Sequence, residues 1–379
     1  LSGHGGRKHP AVKFLQGDGS DNGSLFEIAQ FNAVLHANHP AIMVNAKSSP
    51  QSQWKQPSGK ALLFLLWILS LALLPLLSVI GGQPIAVNIR PVIGLGIAAL
   101  VTALVGTKVV PLLRQLKAGQ VIQEDGPQSH LKKAGTPTMG GIFFVPVAVA
   151  IAVIGTRFNG DVIAVGLVTL AYMAIGWVDD WQILKYKSNK GLTPKQKLAL
   201  QVAIAVLFCL WSFFSQSPEI TNVRILQFTL PLGFFFWFVA SFALVAESNA
   251  TNLTDGVDGL AAGTGAIAFV GLGALVVAEN PALAFFCCAM AGGCIGFVHH
   301  NHNPARVFMG DTGSLALGGS LAAVGIMSGN LWGLLLISGI FLAESLSVIA
   351  QVSYYKATKG PDGVGKRLFK MAPIHHHLE

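Results

Sequence analysis

An all-α integral membrane protein that crosses the bilayer many times is the fold class this sequence predicts, on three observations. The 379 residues are 52% hydrophobic and only 11% charged, with a mean hydropathy of +0.59, too apolar for an ordinary soluble domain. Apolar runs near the length a bilayer needs recur from Ala61 onward. Lys and Arg are shared unequally between the two sets of loops that join those runs. The net charge of +8 is spread over several loops, so it reads as membrane topology and not as a nucleic-acid surface. Cys209, Cys287, Cys288 and Cys294 all lie inside apolar runs, with neither a disulfide framework nor metal-ligand spacing.

Residues 1–60 are rich in Gly, Ser, Asn, Gln and His, lack helical periodicity, and read as a disordered extension without a signal-like apolar stretch. The membrane domain, 61–379, divides into about ten apolar segments: 61–80, 91–113, 139–156, 160–178, 196–214, 230–247, 260–278, 282–299, 314–330 and 332–355. If all ten span, loops 114–138, 179–195, 248–259, 300–313 and the tail 356–379 share one face. With Lys197, that set holds 15 Lys and Arg, against Arg90, Arg157 and Arg224 on the other side. The positive-inside rule makes the first set cytoplasmic.

The unusual polar clusters all fall on that face. Asn249–Gly259 places Asp255 and Asp258 three apart; in the first turn of the following helix they would share a face and meet one ligand, whereas a polar loop with an Asp cap is the plainer alternative. Asp125-Gly126-Pro127, His130 and Lys133 precede Gly135-Thr136-Pro137-Thr138-Met139-Gly140-Gly141, where small residues admit close backbone approach and Lys133 offers a charge for phosphate or a snorkelling interfacial group. Asp179-Asp180 ends a segment, facing the negative end of a helix dipole, so a cation is expected nearby: Lys185, Lys187, Lys190 or a divalent ion. Asn301 precedes Val307 to Leu315, in which Asp311 reads as the N-cap of a helix from Ser314. His375-His376-His377 can donate to phosphate oxygens or bind metal.

Two features fall outside those clusters. Glu344 sits deep in an apolar segment, where an acid is a functional candidate or is paired with Ser338 or Ser347. Glu247 lies at a segment end where water is near. The run Phe234-Phe235-Phe236-Trp237-Phe238 is not a helical stripe and reads as lipid- and helix-facing.

Taken in order, these motifs resemble the phospho-N-acetylmuramoyl-pentapeptide transferase family. Asp125-Gly126-Pro127 with His130, Lys133 and Thr136–Gly141 is similar to its first cytoplasmic loop, Val178-Asp179-Asp180 to its paired aspartates, and Asn252–Gly259 to its nucleotide-proximal loop. Phe308–Leu315 resembles its magnesium loop and Ala372–His377 its histidine loop. The resemblance covers roughly 91–379 and leaves 1–60 and 61–80 as additions.

The resemblance implies transfer of phospho-N-acetylmuramoyl-pentapeptide from UDP to undecaprenyl phosphate, giving lipid I and UMP. It implies Mg2+ held by Asp311, with Asp179 deprotonating or orienting the lipid phosphate and Asp180 supporting metal or substrate. A base contributes modestly, because a phosphate monoester with a second pKa of about 6 is already largely ionised. Lys133, Asn252, Asp255, Gly256, Asp258, Asn301, Phe308, Gln351, His375, His376 and His377 would surround the substrate. A homodimer in the bilayer is compatible with this reading. The family has a further span after the histidine loop, so the expectation is that this sequence stops short of it. Other readings are a related transferase of N-acetylglucosamine phosphate and a secondary transporter; one-sided acids and no evident internal repeat count against the latter.

Overall fold

The computed structural model describes residues 58–80, 85–116, 135–186, 191–225, 228–361 and 363–378. Helices α1 (Gly59–Ile80), α2 (Ile85–Gln115), α3 (Gly141–Gly155), α4 (Gly160–Tyr186) and α5 (Pro194–Ser215) lead to a 3-10 turn and a short antiparallel hairpin of β1 (Asn222–Ile225) and β2 (Phe228–Pro231). Helices α6 (Phe235–Thr254), α7 (Leu260–Val276), α8 (Pro281–Asn301), α9 (Gly310–Met327), α10 (Leu331–Ile337), α11 (Gly339–Ala357) and α12 (Ile374–Leu378) complete the order.

All ten apolar segments of the sequence carry helix. Among the described residues, four helices are long and apolar enough to cross a membrane alone, within Ile89–Gln115, Gly160–Tyr186, Pro194–Ser215 and Pro281–Asn301. A fifth span results if α10 and α11 count as one. Helices α1, α3 and α7 hold shorter apolar stretches.

Helices α8 and α9 form the centre. Residues 312–327 of α9 are all buried, and so are 286–298 of α8. Such burial requires neighbours to come close, and small residues allow it. A Cβ on Gly292 or Gly296 would collide with the Leu95 or Ala99 carbonyl of α2, and one on Gly176 of α4 with the main chain of Asp311. The Thr251 hydroxyl on α6 donates to the Ser314 carbonyl of α9 at 2.8 Å. Aromatic side chains fill the remaining space: Phe144 lies 4.9 Å from Phe297, ring centre to ring centre, and Tyr172 donates to the Gln201 carbonyl at 3.1 Å.

Three boundaries differ from the sequence reading, each for a local reason. Helix α4 runs past Val178 to Tyr186, so Asp179 and Asp180 lie inside it and not at its end. Helix α6 carries the polar run Ser248 to Thr254, whose Ser248, Thr251 and Thr254 hydroxyls all donate to carbonyls three or four residues back. The segment 332–355 is broken at Ser338, where α10 and α11 meet at a 72° bend. There the Ser338 hydroxyl donates to Glu247 Oε1 at 2.6 Å, so Glu247 is held at a helix break and is not a water-facing end residue. At the pole of the hairpin, Asp161 accepts from Gln216 Nε2 (3.2 Å) and Asn280 Nδ2 (2.9 Å), and Arg224 pairs with Glu279.

Candidate active site

The site is built on the N-terminus of α9. Gly310, with φ of +70°, turns the chain into that helix, and Asp311 is in its first turn, so Asp311 is not a cap preceding a helix at Ser314. The first N–H groups of a helix have no partner within it and carry the positive end of its dipole. Asp180 of α4 supplies the missing acceptor: its carboxylate takes the Asp311 N–H (3.3 Å), the Thr312 N–H (3.0 Å) and the Thr312 hydroxyl (2.6 Å). The positive group expected near the paired aspartates is thus in part the end of another helix.

The other part is Lys197. Thr193 and Gln196 form a capping box at the start of α5, with Pro194 in the first turn, and this fixes where Lys197 points. Its ammonium bridges Asp311 Oδ2 and Asp179 Oδ2, the latter at 3.9 Å. Asp179 Oδ1 accepts the Leu192 N–H at 2.6 Å, which ties the chain entering α5 to α4. Lys185 lies on the same helix as the aspartates, and Lys187 and Lys190 are outside the described residues.

From α6, Asn252 Nδ2 donates to Asp311 Oδ1 (2.7 Å) and to Ser314 Oγ (2.9 Å). Asp255 caps the end of α6 and takes a main-chain hydrogen bond from Gly310. Burial pushes its carboxyl well above the usual range, and the neighbouring charges of Asp311 and Asp180 push the same way. Helix α7 begins only at Leu260, so Asp255 and Asp258 do not share a helix face: Asp258 turns away to accept from Asn303 Nδ2 (3.2 Å) and the Ala305 N–H (3.1 Å). Asn301 likewise holds main chain, accepting from the Gly259 N–H (2.9 Å) and donating to the Val307 carbonyl (2.8 Å).

The loop 135–141 lies against the same place. The Phe308 N–H donates to the Pro137 carbonyl at 2.8 Å, and Gly140 N–H to the Phe308 carbonyl at 2.9 Å. Lys133, with Asp125, Gly126, Pro127 and His130, is outside the described residues, as is the extension 1–57. On the far side, Gln351 of α11 holds the chain that leads to α12, its Oε1 accepting from the Leu368 N–H (3.0 Å) and the Phe369 N–H (2.8 Å). His375 and His376 of α12 face Gly256, where a Cβ would collide with the His375 ring; His377 Nδ1 accepts the Lys370 N–H at 3.1 Å. Glu344 does not pair with Ser338, and Ser347 bonds its carbonyl; the Glu344 carboxylate contacts His375.

Asp179, Asp180, Asp255, Asp311, Asn252, Gly256 and the first two histidines therefore converge. Asp258, Asn301 and Gln351 form the frame. Lys197 was not among the sequence candidates, although its position carried a signal: a cation in the first turn of a helix is disfavoured by the dipole and asks for an acid beside it. Only Asp311 and Asp179 approach the one ammonium of Lys197, and burial pushes the nearby Asp255 toward its protonated form. Among the described residues no three His, Cys, Asp or Glu side chains converge tightly enough to hold a metal by themselves. The donors are nonetheless hard oxygens, as a divalent ion that keeps water and phosphate ligands requires, and the Lys197 ammonium occupies the position of a cation against Asp311.

A family model described as glycosyl transferase family 4 matches residues 162–329, and one described as phospho-N-acetylmuramoyl-pentapeptide-transferase signature 1 matches 133–145. A phospho-N-acetylmuramoyl-pentapeptide-transferase of Synechocystis sp. is 82% identical over 337 residues, 89% of this chain and 92% of the relative. Those of Rippkaea orientalis and a Picosynechococcus sp. are 64% and 59% identical, each over 89% of this chain and 92% of the relative. An alignment of 337 residues is longer than the stretch 91–379, so the likeness also takes in residues before Pro91. By sequence identity across nearly the whole length of such relatives, the chain belongs to the phospho-N-acetylmuramoyl-pentapeptide-transferase family.

Proposed function

We propose that the protein transfers phospho-N-acetylmuramoyl-pentapeptide from its UDP carrier to undecaprenyl phosphate, forming lipid I and releasing UMP. The observation that carries this reading is the group of carboxylates gathered with Lys197 and Asn252 around the N-terminus of α9, in a chain so similar to transferases of that name. In the reaction a phosphate oxygen of the lipid attacks the phosphorus that bears the sugar, and the bond from that phosphorus to the UMP oxygen breaks. The UMP oxygen takes the electron pair as the new diphosphate bond forms, so no net proton moves.

Phosphoryl transfer of this kind asks for position and charge neutralisation more than for covalent help. Asp311 would hold Mg2+, with Asn252 fixing the carboxylate from its other oxygen. The ion, when bound, neutralises diphosphate charge and orients its oxygens. Asp180 keeps the start of α9 closed, so that Asp311 stays in place. Asp179 holds Leu192 and approaches Lys197 with its two oxygens, which makes it an anchor of the site's lysine and leaves little for a base to do on an already ionised phosphate. Loop 255–259 and the histidines of α12 would line the nucleotide-sugar side.

The site is assigned to the cytoplasmic face, where a membrane-bound phosphate and a soluble nucleotide meet, with the loops richest in Lys and Arg. The test is incubation of the purified protein with undecaprenyl phosphate, Mg2+ and either UDP-N-acetylmuramoyl-pentapeptide or UDP-N-acetylglucosamine, followed by the mass of the lipid product. Lipid I from the first donor alone is expected; a product from the second alone overturns the assignment.

A further inference from the structure

Glu344 is buried on α11, deep in an apolar segment, and the reaction as derived above gives it no part. A carboxylate there is expensive and needs compensation. Its Oε2 accepts the main-chain N–H of His375 at 3.3 Å and lies 3.1 Å from Nδ1 of the same residue, close enough to bias that nitrogen although the two are not aligned as a hydrogen bond. The Ser347 hydroxyl is occupied with the Glu344 carbonyl at 2.6 Å and leaves the carboxylate to the histidine. His375 is itself only 7% exposed. Its Nε2 is buried without a hydrogen-bond partner and rests on Gly256, where no side chain would fit. Burying a ring nitrogen without a partner is costly, and such a group calls for an explanation.

We propose that Glu344 is a positioning residue for the transfer reaction: it draws the imidazole proton of His375 to Nδ1 and so presents the Nε2 lone pair, across Gly256, as an acceptor for an O–H or N–H of the nucleotide sugar. The inference rests on the reaction proposed above. The two ring nitrogens of a neutral imidazole are one donor and one acceptor, and the group beside one nitrogen selects the role of the other. A carboxylate only accepts, so it selects Nδ1–H. A glutamine keeps an oxygen for the His375 N–H but can also donate to Nδ1, which puts the proton on Nε2 and reverses its role.

The experiment uses the full chain in one detergent. Glu344→Gln, Glu344→Ala and Ser347→Ala are compared with the parent by thermal unfolding, by KM and kcat for both substrates, and by histidine 15N spectra in which His375 is assigned from its loss in His375→Asn. In the parent, the Nε2 signal is expected to be that of an unprotonated ring nitrogen. Glu344→Gln should keep the parent Tm, move that signal to the protonated form, and raise KM for the nucleotide sugar roughly 10- to 100-fold with KM for the polyprenyl phosphate unchanged. Glu344→Ala should lose thermal stability as well, and Ser347→Ala should match the parent.

A protonated Nε2 in the parent overturns the proposal, and so does a Glu344→Gln protein with parental KM and kcat, because then the carboxylate only anchors the segment. Equal defects in Ser347→Ala would assign the effect to α11 and overturn it too. The spectra need no turnover: a parent that makes no lipid product counts against the reaction, while the Nε2 signal still decides the role of Glu344.

Discussion

Replacing Lys197 with Met tests how the site balances its charge. Methionine keeps the length of the side chain and removes the ammonium that bridges Asp311 and Asp179. Removing one partner of a buried pair costs about 3–5 kcal/mol, because a desolvated charge is left behind. The side chains of Lys197 and Asp311 are 18% and 24% exposed, so water recovers part of that, and a loss of about 2 kcal/mol is the reasonable figure. In magnesium-free buffer this should lower Tm by about 2–3 °C. A divalent ion bound at Asp311 should then restore more than it adds to the parent, since in the parent it must compete with the ammonium. Binding at a hundredfold excess over Kd is worth about 2.7 kcal/mol to whichever protein it binds so well. The assay is thermal unfolding against magnesium concentration for both proteins, and a steeper rise is expected in the variant. Parallel curves would refute the view that Lys197 and the metal share Asp311; an unchanged Tm without magnesium would refute the pairing itself.

Asp311→Asn should abolish turnover, because the metal site proposed there would lose its anionic oxygen ligand; normal rates at limiting magnesium would remove Asp311 from that role. Asp180→Ala leaves two main-chain N–H groups and the Thr312 hydroxyl without their acceptor, and should cost about 3 kcal/mol in thermal or denaturant unfolding, even with no substrate present. Asp255→Asn should flatten the pH dependence of stability. Since the folded state raises the pKa of Asp255, the stability linked to it is full below the unfolded value of about 4 and is lost as pH rises through the raised value. In magnesium-free buffer the variant's Tm should therefore fall less than the parent's between acid and alkaline pH, and equal falls would mean that Asp255 is not the group responsible.

The helices were legible because length and apolar composition are properties of a single segment, although among the described residues only four of them, or five with the bent pair, are long and apolar enough to cross a membrane. The break at Ser338 was not: neither Ser338 nor Gly339 stops an apolar run on paper, and what accompanies the bend is a hydrogen bond to Glu247, 91 positions away. The residues of the site were legible as motifs, but their division of labour was not. Asp258, Asn301 and Gln351 read like pocket residues, yet they are occupied with main-chain N–H and carbonyl groups of the loops that surround the pocket. Polar side chains that hold a loop and polar side chains that hold a substrate have the same composition and differ only in what lies within hydrogen-bond reach.

Charge placed against its own helix is an informative signal in this sequence. The sequence placed acids at the end of a segment and inferred a compensating cation. The structure moves Asp179 and Asp180 inside α4, so the local dipole penalty was overestimated, yet the compensation exists because both carboxylates are buried. The same argument applied to the next segment points to Lys195 and Lys197, the two cations at the start of α5, without choosing between them. Two residues that each look misplaced in their own helices relieve one another across the interface, and the first turn of α9 completes the set, since its free N–H groups need an anion as much as Asp180 needs donors. A site at the ends of several helices can therefore be sought in a membrane sequence by pairing opposite violations of the dipole rule, before any contact is known.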